Sequence, residues 1–174
     1  KNLSIVCFNK EQWVGNGLTI PSGPLREDLA ALIRANCVVI NGEKDRDIEN
    51  KIFSKNKEIK IFYAKYRALN INEFKNKKVI AFAGIGNPAN FFNLLKYNKI
   101  DIAEEIKFTD HHKYSEETLE NLINKAKENN TILLTTEKDY FRINANYKHN
   151  INYLKIEVEI ENRNQFIDEI KKII

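Results

Sequence analysis

The stretch Ala81–Phe92, AFAGIGNPANFF, decides how this chain is read. A hydrophobic run, Val79 to Ala83, ends in Gly84-Ile85-Gly86, and Asn87-Pro88-Ala89 opens a second apolar pattern. The order predicts a strand, a tight turn and a helix. Pro88 suits the first helical position, where its missing N–H costs nothing, and Asn87 suits the N-cap. The same residues satisfy G-x-G-x-x-[GA], the loop that lets a dinucleotide approach the backbone. Two readings stay open at this point. Either the segment holds a dinucleotide, with Asp110 as the acid that ends the next strand, or the glycines serve a sharp bend. A lone fingerprint is weak, and the turn is the simpler reading.

Working outward, the pattern is regular. After the helix from Pro88 to about Tyr97, the strand EIKFT runs into the loop DHHKYS. A helix follows, capped by Ser115, with Leu119, Leu122, Ile123 and Ala126 at i, i+3, i+4 and i+7. The strand TILLTT leads into TEKDYFRI, read as a turn and short helix. The run NYLKIEVEI is read as one strand feeding a terminal helix with Phe166, Ile167, Ile170 and Ile174 apolar. Such alternation predicts a lobe of about four parallel strands flanked by helices. Ligands in such sheets bind beyond the carboxyl ends of the strands, where AGIGNP, TDHH and TTEKD all fall.

Before Val79 the reading is sparser. Leu3 to Phe8 is a buried strand, and residues 9–28 form a long loop rich in Gly and Pro, a length that points to function. Asp28 caps a short helix, LAALIRA, before a second buried strand, CVVIN. After a polar segment comes a strand-like run from Glu58 to Tyr66. Asn70 to Lys78 reads as a hinge or lobe boundary. The expected divisions are 1–57, 58–78 as a strand-like linker, and 79–174 as a smaller C-terminal α/β lobe.

Composition narrows the classes. The chain has 174 residues, 43% hydrophobic and 30% charged, with a net charge of +4. That is a globular balance with interspersed charges, which permits an anionic partner without demanding one. No basic block with interleaved aromatics is present, so no nucleic-acid partner is expected. Cys7 and Cys37 lack metal or redox spacing and read as small buried hydrophobes. No apolar run approaches the roughly 20 residues that span a bilayer. The sequence has no methionine and opens at Lys1 inside an apparent strand, so it is expected to be the C-terminal part of something longer.

The candidate chemistry sits in four motifs. Asp110-His111 places a carboxylate beside an imidazole, which suits proton transfer near neutral pH. A capping loop is the plainer alternative. Adjacent His111 and His112 cannot face the same way on a strand, so a two-histidine metal pair is not expected. Lys138 in Thr135-Thr136-Glu137-Lys138-Asp139 is placed to reach a phosphate, or belongs to a solvated turn. In Gly23-Pro24-Leu25-Arg26-Glu27, Arg26 is suited to phosphate oxygens. No glycine is followed by lysine, so the phosphate loop of ATP-binding proteins is not in this sequence.

Taken in order, GNG, P-x-GPLRE, the V-V-I-N-G strand, AFAGIGNPANFF, DHH and TTEKD resemble the C-terminal portion of the tetraacyldisaccharide 4'-kinase family. The resemblance covers nearly the whole chain. It implies a P-loop NTPase-like α/β fold whose phosphate loop lies upstream, with ATP and Mg²⁺ as cofactors and the nucleotide bound between two lobes. It implies transfer of the ATP γ-phosphate to the 4'-hydroxyl of a lipid, tetraacyldisaccharide 1-phosphate, at the cytoplasmic face of the bacterial inner membrane. The membrane contact would come from the N-terminal part, and this portion alone would be inactive. His111 matches the family's catalytic histidine, which pairs with an upstream aspartate as a base for the sugar hydroxyl. Asn16, Arg26 and Glu27 match substrate-side positions. Gly84, Gly86, Asp110, Lys138 and Asp139 become candidates for the nucleotide cleft, and no metal ligand is expected here. The sequence departs from the family at Asn9, usually an acid, at Gln12, near a usual arginine, and at Arg142, commonly a lysine. The alternatives are a Rossmann-like dinucleotide-binding domain built on the GIGNPA turn, or a non-catalytic lobe that binds lipid or protein.

Overall fold

The computed structural model describes residues 3–173. In chain order its strands and α-helices are β1 (Ile5–Asn9), β2 (Cys37–Asn41), α1 (Arg46–Phe53), β3 (Lys60–Ala68), β4 (Lys78–Ala83), α2 (Pro88–Tyr97), β5 (Asp101–Lys107), α3 (Glu116–Glu128), β6 (Ile132–Thr136), α4 (Glu137–Arg142), β7 (Ile151–Leu154), β8 (Ile156–Ile160) and α5 (Arg163–Lys171). They form two compact units. One runs to Tyr66 and resumes at Val158; the other is Arg67–Glu157.

The first unit holds a sheet of order β1-β2-β3-β8, with β1, β2 and β3 parallel. Its period-two pattern separates two cores. Val38 and Ile40 face Leu32, Ile48, Ile52 and Tyr63, while Cys37 and Val39 face Phe62 and Ala64. The helix α1 went unread in the sequence because only Ile48 and Ile52 supply its apolar face. It starts where the Asp45 carboxylate accepts from the Asp47 and Ile48 amides, at 3.1 and 3.2 Å. The capped LAALIR segment is a short 3-10 helix, with Asp28 Oδ1 accepting from Ala30 N at 2.7 Å. Cys37 is buried, but Cys7, expected to be buried, is exposed on β1, an edge strand that among the described residues pairs with β2 alone.

The second unit is an all-parallel sheet of order β5-β4-β6-β7. Its central strand β4 is buried from Val79 to Ala83, which explains a continuous apolar run rather than an alternating one. Val79, Ala81 and Ala83 pack with Phe91, Phe92 and Leu95 of α2 on one face. Ile80 and Phe82 pack with Leu119, Leu122, Ile123 and Ala126 of α3 on the other. The helical spacing read from the sequence is therefore the packing face of α3.

Several expected divisions differ from the structure. The run NYLKIEVEI is not one strand: β7 pairs with β6, and β8 joins the sheet of the first unit. Its two halves serve different cores. Leu154 is buried with the second unit, whereas Ile160 and Phe166 pack with the first, Phe166 edge-on to Phe62 at 5.0 Å. The chain from Val158 onward thus belongs with the first unit, not with 79–174. Nor is Asn70–Lys78 a free hinge. Phe74 is 2% exposed in the second core, and the Asn70 side chain bonds the Tyr153 carbonyl and the Lys155 amide. Likewise β3, expected as a linker, is an interior strand of the first sheet. Ile174, read as apolar in the last helix, lies outside the described residues.

Candidate functional site

In the second unit, the chain leaves β4 toward β5 on one side and leaves β6 toward β7 on the other. The crevice of such a sheet opens beyond the carboxyl ends of the two strands where direction reverses, here β4 and β6. The loops at those ends are AGIGNP and TTEKD. Asp139, wholly buried, bridges them. Its Oδ2 accepts from Gly84 N at 3.0 Å and from the Thr136 hydroxyl at 2.7 Å. Thr136 is also the N-cap of α4, taking the Asp139 amide at 3.1 Å. Arg142 completes the set: Nη1 lies 3.5 Å from Asp139 Oδ1 and donates to the Gly84 carbonyl at 3.3 Å. A buried carboxylate persists only with such partners.

This arrangement decides the opening motif. In a dinucleotide loop the glycine amide faces a pyrophosphate; here Gly84 N–H is taken by the protein's own carboxylate. Gly84 is required for close approach instead. A Cβ there would stand 2.9 Å from the Tyr114 hydroxyl and 3.0 Å from His112 Cβ. At Gly86 a Cβ would meet only Asp110, at 3.3 Å or more. The N-cap and first-position assignments of Asn87 and Pro88 hold, although the Asn87 side chain makes no capping bond.

The DHH loop lies across this turn. His111 N donates to the Gly84 carbonyl at 3.1 Å and to Asp110 Oδ1 at 2.9 Å. Its φ of 59° is left-handed, an uncommon conformation for a residue with a side chain. The ring is exposed, with Nδ1 3.1 Å from Arg142 Nη2 and Nε2 3.7 Å from Asp110 Oδ2. His112 turns the other way. It stacks on Phe108 at 4.5 Å and meets Tyr114 edge-on, with its Nε2 buried and unpaired. It is part of the aromatic packing beneath the loop. Burial pushes the Tyr114 phenol well above its ordinary value, and the Asp139 charge adds to this, although its hydroxyl makes no hydrogen bond of ordinary geometry.

Gly84, Gly86, Asp110, His111 and Asp139 are thus brought together by the structure. Lys138 is exposed on the first turn of α4. Arg142 joins the cluster as a central contact that its sequence position, a charge after TEKDYF, did not reveal. The signal was helical spacing: i+3 from Asp139 places both on one face.

Asn16, Arg26 and Glu27 lie in the first unit, on the long loop. Asn16 is engaged within that loop, donating to the Ser22 carbonyl at 2.8 Å and accepting from Leu18 N at 3.1 Å. Gly23 sits so close beneath it that a Cβ would meet the Leu18 carbonyl at 2.2 Å. Glu27 pairs with Arg34. Arg26 and Glu27 line a cavity of about 810 Å³ together with Cys7, Phe8, Trp13 and Leu29. The Trp13 indole N–H is buried there without a partner.

Comparison with known proteins follows the same residues. The family model described as "LpxK: Tetraacyldisaccharide-1-P 4'-kinase" matches residues 1–174. A tetraacyldisaccharide 4'-kinase of Pelagibacter ubique is 39% identical over 99% of this chain and 56% of its own length. That of Rickettsia akari is 37% identical over 99% of this chain and 52% of its own length. A crystal structure of LpxK from Aquifex aeolicus in complex with ATP superposes with a TM-score of 0.66 and 26% identity, over 99% of this chain and 53% of that one. The chain spans about half the length of the relatives it matches. On the match over its whole sequence, the chain belongs to the tetraacyldisaccharide-1-P 4'-kinase family.

Proposed function

We propose that this chain supplies the C-terminal part of a lipid kinase that moves the ATP γ-phosphate to the 4'-hydroxyl of tetraacyldisaccharide 1-phosphate. The observation that carries the reading is His111. In a chain of this family, its ring is exposed at the carboxyl end of a parallel sheet, on a left-handed backbone tied to Gly84 and flanked by Asp110 and Arg142. In phosphoryl transfer the protein aligns the hydroxyl nucleophile and accepts its proton, while cations stabilise the charge on the transferring group. His111, paired with an aspartate that the family places upstream, forms the base that takes the proton of the hydroxyl. Asp110 and Gly84 hold its backbone, and Asp139 fixes the turn beneath it.

The other positions take supporting parts. Arg26, exposed beside the cavity, meets an anionic group of the substrate. Glu27 is kept in place by Arg34, and Asn16 acts through the shape of its loop. Lys138, exposed on α4, reaches toward nucleotide phosphate. ATP is the phosphoryl donor, in line with the ATP complex of the Aquifex relative. Mg²⁺ would be held chiefly by the nucleotide phosphates with one or two carboxylates; among the described residues no three or more His, Cys, Asp or Glu side chains group in a way that could hold a metal ion. No helix among them is long and apolar enough to cross a membrane. The work site in this reading is the cytoplasmic face of the bacterial inner membrane, where a membrane lipid and ATP can meet.

The test is His111→Ala in the complete protein. Turnover of the disaccharide lipid should fall by roughly 10²- to 10⁴-fold, the range of a lost general acid–base group, while ATP still binds. Turnover near that of the unmodified enzyme would remove His111 from the chemistry.

A further inference from the structure

Arg142 ends α4, and its guanidinium touches three groups at once. Nη1 donates to the Gly84 carbonyl at 3.3 Å and lies 3.5 Å from the buried Asp139 carboxylate. Nη2 stands 3.1 Å from His111 Nδ1. A guanidinium has five donors and no acceptor, so in this contact Nδ1 must be the acceptor and carries no proton. The neutral ring then bears its proton on Nε2, the nitrogen on the side of Asp110. Protonation of Nδ1 and the contact with Arg142 exclude one another.

We propose that Arg142 is a positioning residue for His111, holding the imidazole by Nδ1 in one orientation and in the Nε2–H tautomer. An exposed histidine ring otherwise samples several rotamers and both neutral tautomers. Here the backbone is pinned at Gly84 and the ring is pinned by a guanidinium that is itself anchored on Gly84 and Asp139. The charged groups facing the ring are Asp110 from its own loop and Arg142 from α4, with Asp139 behind the guanidinium. With Nδ1 taken by Arg142 and Nε2 protonated, the neutral ring has no free lone pair, so His111 serves the base by donating from Nε2 to the carboxylate that takes the hydroxyl's proton. The assignment rests on that reading of His111, because only then does its tautomer matter to turnover. A lysine at this position also has donors and no acceptor, so it can hold Nδ1 as well, though it lacks the fork that grips Gly84 and His111 together.

The experiment uses the complete protein with ¹⁵N-labelled histidine, read by long-range ¹H–¹⁵N correlation at a pH where the His111 ring is neutral. The expected spectrum shows a bare Nδ1 and a protonated Nε2. Arg142→Met should give a tautomer average and cut kcat roughly 10- to 100-fold with the KM for ATP unchanged. Arg142→Lys should restore the original ring spectrum and most of kcat. A protonated Nδ1 or a tautomer average in the unmodified protein overturns the assignment, and so does an unaltered ring spectrum in Arg142→Met. If the Met variant fails to fold, the unmodified and Lys proteins decide the question between them. The ring spectrum does not depend on turnover. Normal activity in His111→Ala therefore removes the functional reading alone, whereas a failed spectrum removes the role of Arg142 alone.

Discussion

Replacing Asp139 by asparagine tests the centre of the site with almost no change of shape. The carboxylate accepts from Gly84 N and the Thr136 hydroxyl through Oδ2 and faces Arg142 through Oδ1. An asparagine oriented to keep its oxygen on Gly84 and Thr136 retains two bonds. They become neutral ones, about half as strong as those to a charged acceptor. Its amide nitrogen then confronts Arg142 Nη1, donor against donor, where an ion pair stood. Because Asp139 is fully buried, water cannot repair the mismatch. Breaking one side of a buried pair costs about 3–5 kcal/mol. The two retained bonds place this substitution near the lower end, about 3 kcal/mol. For a chain of this size that lowers Tm by roughly 6–12 °C. Urea denaturation should show an earlier midpoint with an unchanged slope. The reasoning fails if Asp139→Asn unfolds within about 0.5 kcal/mol of the parent, the range of ordinary surface substitutions. Such a result would mean that Asp139 does not tie the two loops together.

The glycines of the opening motif should behave unequally. Gly84→Ala meets the Tyr114 hydroxyl and His112 Cβ and should cost about 1–3 kcal/mol, whereas Gly86→Ala should cost less than about 1 kcal/mol, both read by thermal unfolding. Equal effects would contradict the close approach of the DHH loop. In the first unit, the Ile48 amide above all holds the Asp45 carboxyl below its usual range, with the Asp47 amide and Lys10 adding to it. A depressed folded value means that this stability is present above the unfolded pKa and is lost as pH falls through the folded value. Asp45→Ala should therefore destabilise the chain at neutral pH. Its deficit against the parent should shrink as the solution is taken below about pH 4. A deficit that stays constant through that range would show that the charge of Asp45 is not what caps α1.

Much of the second unit was legible in the order of residues, because each element carries its own local cause. A continuous apolar run makes a strand buried on both faces, Pro88 after Asn87 starts a helix, and Leu119, Leu122, Ile123 and Ala126 share one helical face. The placement of DHH and TTEKD at strand ends followed from the same periodicities. The helix α1 escaped because two isoleucines make too short a pattern. The break at Lys155 escaped because an alternating strand looks the same whichever sheet it joins.

The sequence by itself determined the alternation of strands and helices and the residues available for chemistry, since propensity, periodicity and caps act within a few neighbours. Its motif order also identified the family, which the match over residues 1–174 then showed. Only the tertiary structure decided what the glycine turn is for. Gly84 and Asp139 are 55 residues apart, and nothing local to either says that the amide of one closes on the carboxylate of the other. The same holds for Arg142 and His111, 31 residues apart. Those contacts follow from the order in which parallel strands are laid side by side. That order is a property of the whole sheet, set by which apolar faces must be buried together.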